Sequence, residues 1–134
     1  MLELSSLKKA IDSLGESLKW YHDSTSNVPS EILRDSVIQR FEYTYELCWK
    51  TMKRWLEINL GSAYIDGISR KELFRHAAEH HLIEDPLRWF TYHEARNQTS
   101  HIYDEAVAKD VFGVVGKFIE DVRYFYTEIM KRND

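Results

Sequence analysis

The chain has 134 residues, 43% of them hydrophobic and 30% charged, which is enough for one packed domain (1–134) under a polar surface. A formal charge of −4 excludes a protein that coats nucleic acid by bulk electrostatics, but leaves room for a small local basic site. The single cysteine, Cys48, excludes an internal disulfide framework, and only 5 Gly and 2 Pro argue against an architecture of many short strands.

The N-terminal stretch MLELSSLKKAIDSLGESLKW lacks an uninterrupted apolar run, so it reads as neither a signal peptide nor a membrane span. A reducing cytoplasm is the expected location. Leu4, Leu7, Ile11, Leu14, Leu18 and Tyr21 step by three and four and predict a first helix over about 3–22. HDSTSNVPS (22–30) is a polar connection, with Pro29 suited to the first turn of the next helix. That helix is predicted from about 30 to 59, on the stripe Ile38, Phe41, Tyr45, Cys48, Met52 and Trp55, with a stop at Gly61.

Asp66-Gly67 predicts a turn, and Ser69 with Glu72 a capping box opening a short helix over about 70–81, faced by Leu73, Phe74 and Ala77. Asp85-Pro86 is a cap followed by proline at the first helical position, and predicts a helix over about 86–99. Asp104 caps a last helix, about 105–131, whose stripe is Val111, Val115, Phe118, Val122, Phe125 and Ile129. These elements predict an all-α fold, an up-and-down antiparallel bundle of about five helices. Four Trp and eight Tyr imply a bulky core or an additional buried surface such as a subunit interface.

Four features invite chemistry. His76-Ala-Ala-Glu-His80 matches H-x-x-E-H, in which two histidines one helical turn apart hold zinc. A third ligand is not evident, and the plain reading is a polar helix face. Glu42, Glu46, Lys50 and Arg54 form a row at i, i+4 spacing, read first as a surface ion-pair ladder and second as the lining of a groove. Cys48 lies in an apolar stripe and reads as core.

The fourth feature is RNQTSHIY, 96–103. Arg96 and Asn97 fall near the end of a helix, His93 and Ser100 flank the same face, and His101 falls in the break before Asp104. A guanidinium fork matches phosphate oxygens, and an imidazole moves protons near neutral pH. Together they suit cleavage of an RNA phosphodiester. Histidine serves the ribose 2′-OH or the leaving 5′-oxygen, and arginine serves the charge on the phosphate. Neither a metal nor a cofactor is needed. One Arg and one His per chain is sparse for this task, and a twofold dimer would supply two of each. The plain alternative is a helix C-terminus decorated with the cations that its dipole favours.

Arg96-x4-His101-x-Tyr103 is also the R-x4-H-x-Y signature of HEPN-domain proteins. FEYTYELCWKTMKRWLE (41–57) with RNQTSHIYDEA (96–106) resembles their HepT-like branch, and within it the nucleotidyltransferase substrate-binding proteins. The resemblance extends over nearly the whole chain. It implies a homodimeric bundle with a four-helix core, working beside a minimal nucleotidyltransferase. Some such proteins are metal-independent endoribonuclease toxins held in check by that partner. Arg96 and His101 would then be the catalytic pair, and Asn97, Ser100, Glu46 and Lys50 would line the RNA or nucleotide cleft. Tyr103 would be the site that the partner modifies with a nucleotide. An older reading of the same family implies a non-catalytic subunit that presents substrate to the nucleotidyltransferase.

Overall fold

The computed structural model describes residues 2–133, and among these residues the secondary structure is helical throughout, with no strand. The helices are α1 (Ser5–His22), α2 (Ser30–Leu60), α3 (Ser62–Ile65), α4 (Arg70–Glu79), α5 (Pro86–Asn97) and α6 (Glu105–Lys131), with one 3-10 turn at Thr99–His101. Six helices stand where five were expected, because the four residues of α3 follow Gly61. Gly61 has φ of 97°, a value glycine adopts without steric cost, and it breaks the chain between α2 and α3. The helix expected over 86–99 ends at Asn97 and tightens into the 3-10 turn.

Four long helices run up, down, up and down. Thr44 bonds Ala10 and Arg40 bonds Ser13, which sets α2 antiparallel to α1. Arg88 bonds Asp121, and Trp89 and Tyr92 pack on Phe118, so α5 and α6 are antiparallel. Leu2 and Asn133 exchange hydrogen bonds, closing the start of the chain onto its end. Arg34 reaches Glu105 at 2.7 Å and ties the starts of α2 and α6 together.

The stripes face inward as their spacing requires. Ile38, Phe41, Tyr45, Cys48 and Met52 of α2 are buried, as are Val111, Val115, Phe118, Val122, Phe125 and Ile129 of α6. An aromatic cluster fills the centre: Phe41 meets Phe118 edge-on at 4.8 Å, and Tyr92 meets Phe118 at 5.1 Å. Cys48 is part of this core, and burial pushes its thiol well above the ordinary range, which keeps it protonated. A smaller cluster of Leu56, Ile65 and Leu73 closes the far end of α2, against α3 and α4. No helix of the described residues is long and apolar enough to cross a membrane.

Caps fix the boundaries that matter for function. Asp85 accepts from Leu87 N, Ser69 from Glu72 N, and Asp104 from Ala106 N and Val107 N. The last of these starts α6 shortly after His101. The whole break 98–104 is thus held between a helix end and a capped helix start.

Candidate functional site

The break is built by alternation. Thr99 is buried, and its hydroxyl donates to the Arg96 carbonyl at 2.8 Å, closing the end of α5. His101 N bonds Gln98 O, and Asp104 N bonds His101 O, which fixes the turn by its backbone. Ile102 packs onto the core between two outward neighbours. Its burial leaves His101 and Tyr103 on the outside, their rings edge-on at 6.1 Å. Tyr103 is 85% exposed, an unusual position for a large ring held in a rigid turn.

Arg96 points back across the bundle to α2. Its Nε donates to Glu46 Oε1 at 3.0 Å, and Nη2 lies 3.7 Å from Glu42 Oε1. Nη1 makes only a long contact, 3.5 Å, with Thr99. The guanidinium is therefore oriented by two carboxylates but retains donors for a further acceptor. Among the described residues no hydrogen bond joins Arg96 to His101; they are coupled through Thr99 and the turn. Asn97 and Ser100 are exposed on the same break, and their side chains have no hydrogen-bond partner among the described residues.

The α2 row behaves differently from the ladder expected of it. Glu46 does not pair with Lys50. Its two oxygens are taken by Arg96 Nε and by Trp49 Nε1, the latter at 2.9 Å. Lys50 is exposed, with its ammonium 5.8 Å from the Trp49 ring. Of the row, Glu42 and Glu46 face Arg96, whereas Lys50 does not contact it.

A second polar chain runs behind Arg96. The Arg70 guanidinium stacks 3.6 Å over Trp49 and donates from Nη1 to the Tyr45 hydroxyl at 3.2 Å. Tyr45 in turn contacts His93 Nδ1 at 2.8 Å. Burial pushes the Tyr45 phenol strongly upward, so it stays neutral. His93 is lowered, first by burial and next by the charge of Arg70. Sequence reasoning places His93 beside Arg96 but does not find Arg70, Trp49 or Tyr45 as members of the site. Their only signal is three-dimensional, since 25 residues separate Arg70 from Tyr45.

The H-x-x-E-H histidines stand one helical turn apart, with His80 N bonded to His76 O at 3.1 Å, but their rings pack on different aromatics and among the described residues no third ligand joins them. α4 ends at Glu79, His80 is its C-cap, and His81 takes a left-handed φ of 61°. Leu82 N returns to Ala77 O and His81 N to Ala78 O, a Schellman closure that seats buried Leu82 on the core. His76 packs on Tyr64 and His80 on Trp55. Among the described residues no group of three His, Cys, Asp or Glu has metal-holding geometry.

An antiparallel helical bundle with an Arg-x4-His-x-Tyr break between its third and fourth long helices defines a small class of proteins. The chain belongs to the family described as nucleotidyltransferase substrate binding protein like, whose sequence model matches residues 2–131. It is 30% identical to a Haemophilus influenzae protein named "Probable ribonuclease HepT", over 98% of this chain and 94% of that one. The fold matches a Haemophilus influenzae structure described as the substrate binding domain of a nucleotidyltransferase. That match has a TM-score of 0.85 and 29% identity, covering 96% of this chain and 99% of the other. A crystal structure from Thermus thermophilus matches with a TM-score of 0.72 and 27% identity, over 91% and 97% of the two chains.

Proposed function

We propose that the protein is a HepT-like, metal-independent endoribonuclease that works as a homodimer and is regulated by a partner nucleotidyltransferase in a toxin–antitoxin pair. The observation that carries this reading is the break itself. An oriented guanidinium with spare donors closes the end of α5, and an exposed imidazole and an exposed phenol project from the turn that follows it. The relative named a ribonuclease supports it.

In this mechanism His101 takes the proton of a ribose 2′-OH. The 2′-oxygen attacks phosphorus, the bond to the 5′-oxygen breaks, and the products are a 2′,3′-cyclic phosphate and a 5′-hydroxyl. The second protomer's His101 supplies the proton that the leaving 5′-oxygen takes up. Arg96 binds the non-bridging oxygens, where negative charge gathers. Asn97 and Ser100 are free to bond sugar or phosphate, and the exposed Lys50 adds a charge. A nucleotidyl group placed on Tyr103 by the partner would add bulk and negative charge beside His101, and so exclude RNA.

The test uses purified protein, cellular RNA and a chelator, with His101→Ala beside wild type. Cleavage by wild type alone, with cyclic phosphate ends, is the expected result. Cleavage retained by His101→Ala, or none by soluble wild type, overturns the reading. The partner with ATP should label wild type but not Tyr103→Phe.

One observation favours a second reading, a non-catalytic substrate-binding subunit of a two-component nucleotidyltransferase. Glu46 and Glu42 already neutralise much of Arg96, and an arginine so paired is less ready for phosphate. A stable complex with the partner and no RNA cleavage would select this reading.

A further inference from the structure

Between α2, α4 and α5 lies a cavity of about 230 Å³ whose walls include Trp49, Lys53, Ser69, Arg70 and His93. Three of these carry basic groups, and no acidic residue lines it. Four other surface cavities each include at least one carboxylate: Asp12, Glu31, Glu94 or Glu46. In a chain of net charge −4, a concavity whose only ionisable walls are basic stands apart. Among the described residues neither Lys53 nor Arg70 is in an ion pair, although 12 ion pairs form elsewhere.

The donors of this cavity are set by the hydrogen bonds behind it. The Tyr45 hydroxyl accepts from Arg70 Nη1, so its own proton goes to His93 Nδ1. That places the imidazole proton on Nε2. Among the described residues no buried side-chain nitrogen or oxygen lacks a partner, and Nε2 has no partner there, so Nε2–H is open to solvent. The remaining Arg70 donors are open by the same argument. Stacking on Trp49 holds that guanidinium in place without neutralising it. Glu46, the nearest carboxylate of the network, has both oxygens occupied by Arg96 and Trp49.

We infer that this cavity is a phosphate subsite, in which Lys53, Arg70 and the Nε2–H of His93 bind one phosphate group of the ligand whose neighbouring phosphate lies at Arg96. The volume is below that of a typical drug-sized pocket and suits a phosphate with part of its sugar better than a whole nucleotide. His93 is one turn before Arg96 on α5, and Glu46, bonded both to Arg96 and to the cavity-wall residue Trp49, links the two positions. The proposal rests on the functional reading for its second phosphate, but phosphate binding in the cavity itself is measurable without cleavage. Two sources share this chemistry: the backbone of an RNA strand and the phosphate of a free nucleotide.

The experiment follows the 15N and 1H shifts of His93 in the full chain, at constant ionic strength, with three titrants: inorganic phosphate, AMP and an all-deoxy oligonucleotide, which lacks the 2′-OH that cleavage needs. A saturable His93 shift with inorganic phosphate is expected. It should be about tenfold weaker in Lys53→Gln, the loss of one charge-assisted hydrogen bond. Lys53 has no hydrogen-bond or ion-pair partner among the described residues, so this variant keeps the bundle; Arg70→Met tests the same site in a residue with packing contacts. An oligonucleotide that binds more tightly than AMP assigns the subsite to a backbone phosphate, and the reverse order to a nucleotide. For the oligonucleotide the Lys53→Gln slope of log affinity against log salt should be smaller by about 0.7. Absence of a saturable His93 shift in folded wild type, or unchanged affinity in both variants, overturns the subsite even if RNA is cleaved. A phosphate-dependent shift without any RNA cleavage keeps the subsite and removes the ribonuclease reading.

Discussion

Helix α5 carries two arginines, Arg88 and Arg96, roughly 12 Å apart along its axis, and the bundle treats them in opposite ways. Arg88 donates from Nε and Nη2 to the two oxygens of Asp121, at 2.8 and 2.9 Å. Asp121 is only 5% exposed and also accepts from the Tyr92 hydroxyl. The Asp121 hydrogen bonds raise Arg88 further above its already high range, and burial holds the Tyr92 phenol up as well. Arg96 has one hydrogen bond to Glu46 and a looser ion pair with Glu42, and Arg96 and Glu46 are each about one-third exposed. The pairing type is the same and the consequence differs. The two guanidinium groups are equally exposed, at 31%, but Arg88 is bound bidentately to a carboxylate that is itself buried and has little capacity left for a ligand, whereas Arg96 makes one bond to a carboxylate that is about one-third exposed and remains available.

The comparison breaks first at Asp121. Replacing it with Ala leaves the Arg88 charge and the Tyr92 hydroxyl without their acceptor inside the α5–α6 interface. A loss of about 2–3 kcal/mol in urea unfolding is expected, less than for a fully buried pair because Arg88 is 31% exposed. A loss below about 1 kcal/mol would mean that Arg88 escapes to solvent, or to Glu84 and Asp85 nearby, and that the two arginines are less different than their geometry says.

Arg96→Ala is the mirror experiment. Its ion pairs are partly exposed and screened, so unfolding should shift by less than about 1 kcal/mol. On the proposed function RNA cleavage should fall about 100- to 1000-fold, the usual cost of removing one donor to a developing oxyanion. Large destabilisation with a small change in cleavage would invert the assignment.

These two arginines also show what a sequence can disclose. The stripes that bury Phe41, Tyr45 and Phe118 are periodic, and the caps Asp85 and Asp104 have local chemistry, so the bundle and the break at His101 are legible residue by residue. Nothing local distinguishes Arg88 from Arg96. Their partners lie 33 and 50 residues away, on α6 and α2. The same limit hides the stack of Arg70 on Trp49 and makes Glu46 look like a partner for Lys50. α3 escapes for another reason: four residues after a glycine are too few to show a period. The H-x-x-E-H spacing is real, but spacing does not say what else lies nearby: His76 packs on Tyr64 and His80 on Trp55, and among the described residues no third ligand stands beside them.

Glu46→Gln sharpens the comparison by making Arg96 less like Arg88. The amide oxygen can still accept from Arg96 Nε, and the residue no longer competes as a charge with phosphate, but its NH2 then faces Trp49 Nε1–H and that bond is lost. RNA should bind a few-fold more tightly, in line with one weakened surface ion pair of about 0.5 kcal/mol, while stability falls by about 1 kcal/mol for the lost indole bond. Turnover should not rise, because the carboxylate also fixes the direction of the guanidinium. Weaker RNA binding in Glu46→Gln would show that orientation outweighs neutralisation.

The smallest effect concerns pH, and it follows from the chain of bonds behind Arg96. His93 is held below its ordinary value of 6.5 by burial and by Arg70 and Arg96, against the opposing pull of Glu46 and Glu94. The unfolded chain therefore takes up the His93 proton at a higher pH than the folded one. As pH falls through about 6.5 the unfolded state binds more protons, and stability declines with pH until the folded imidazole also titrates. Wild type should melt at a lower temperature at about pH 5.5 than at about pH 7.5. His93→Gln, which is neutral throughout and retains a polar contact for Tyr45, should show a smaller decline. Arg88 contributes no such window, since its guanidinium stays charged across it. A pH dependence equal in both proteins would place the titrating group elsewhere and remove the neutral His93 on which the donor geometry of the basic cavity depends.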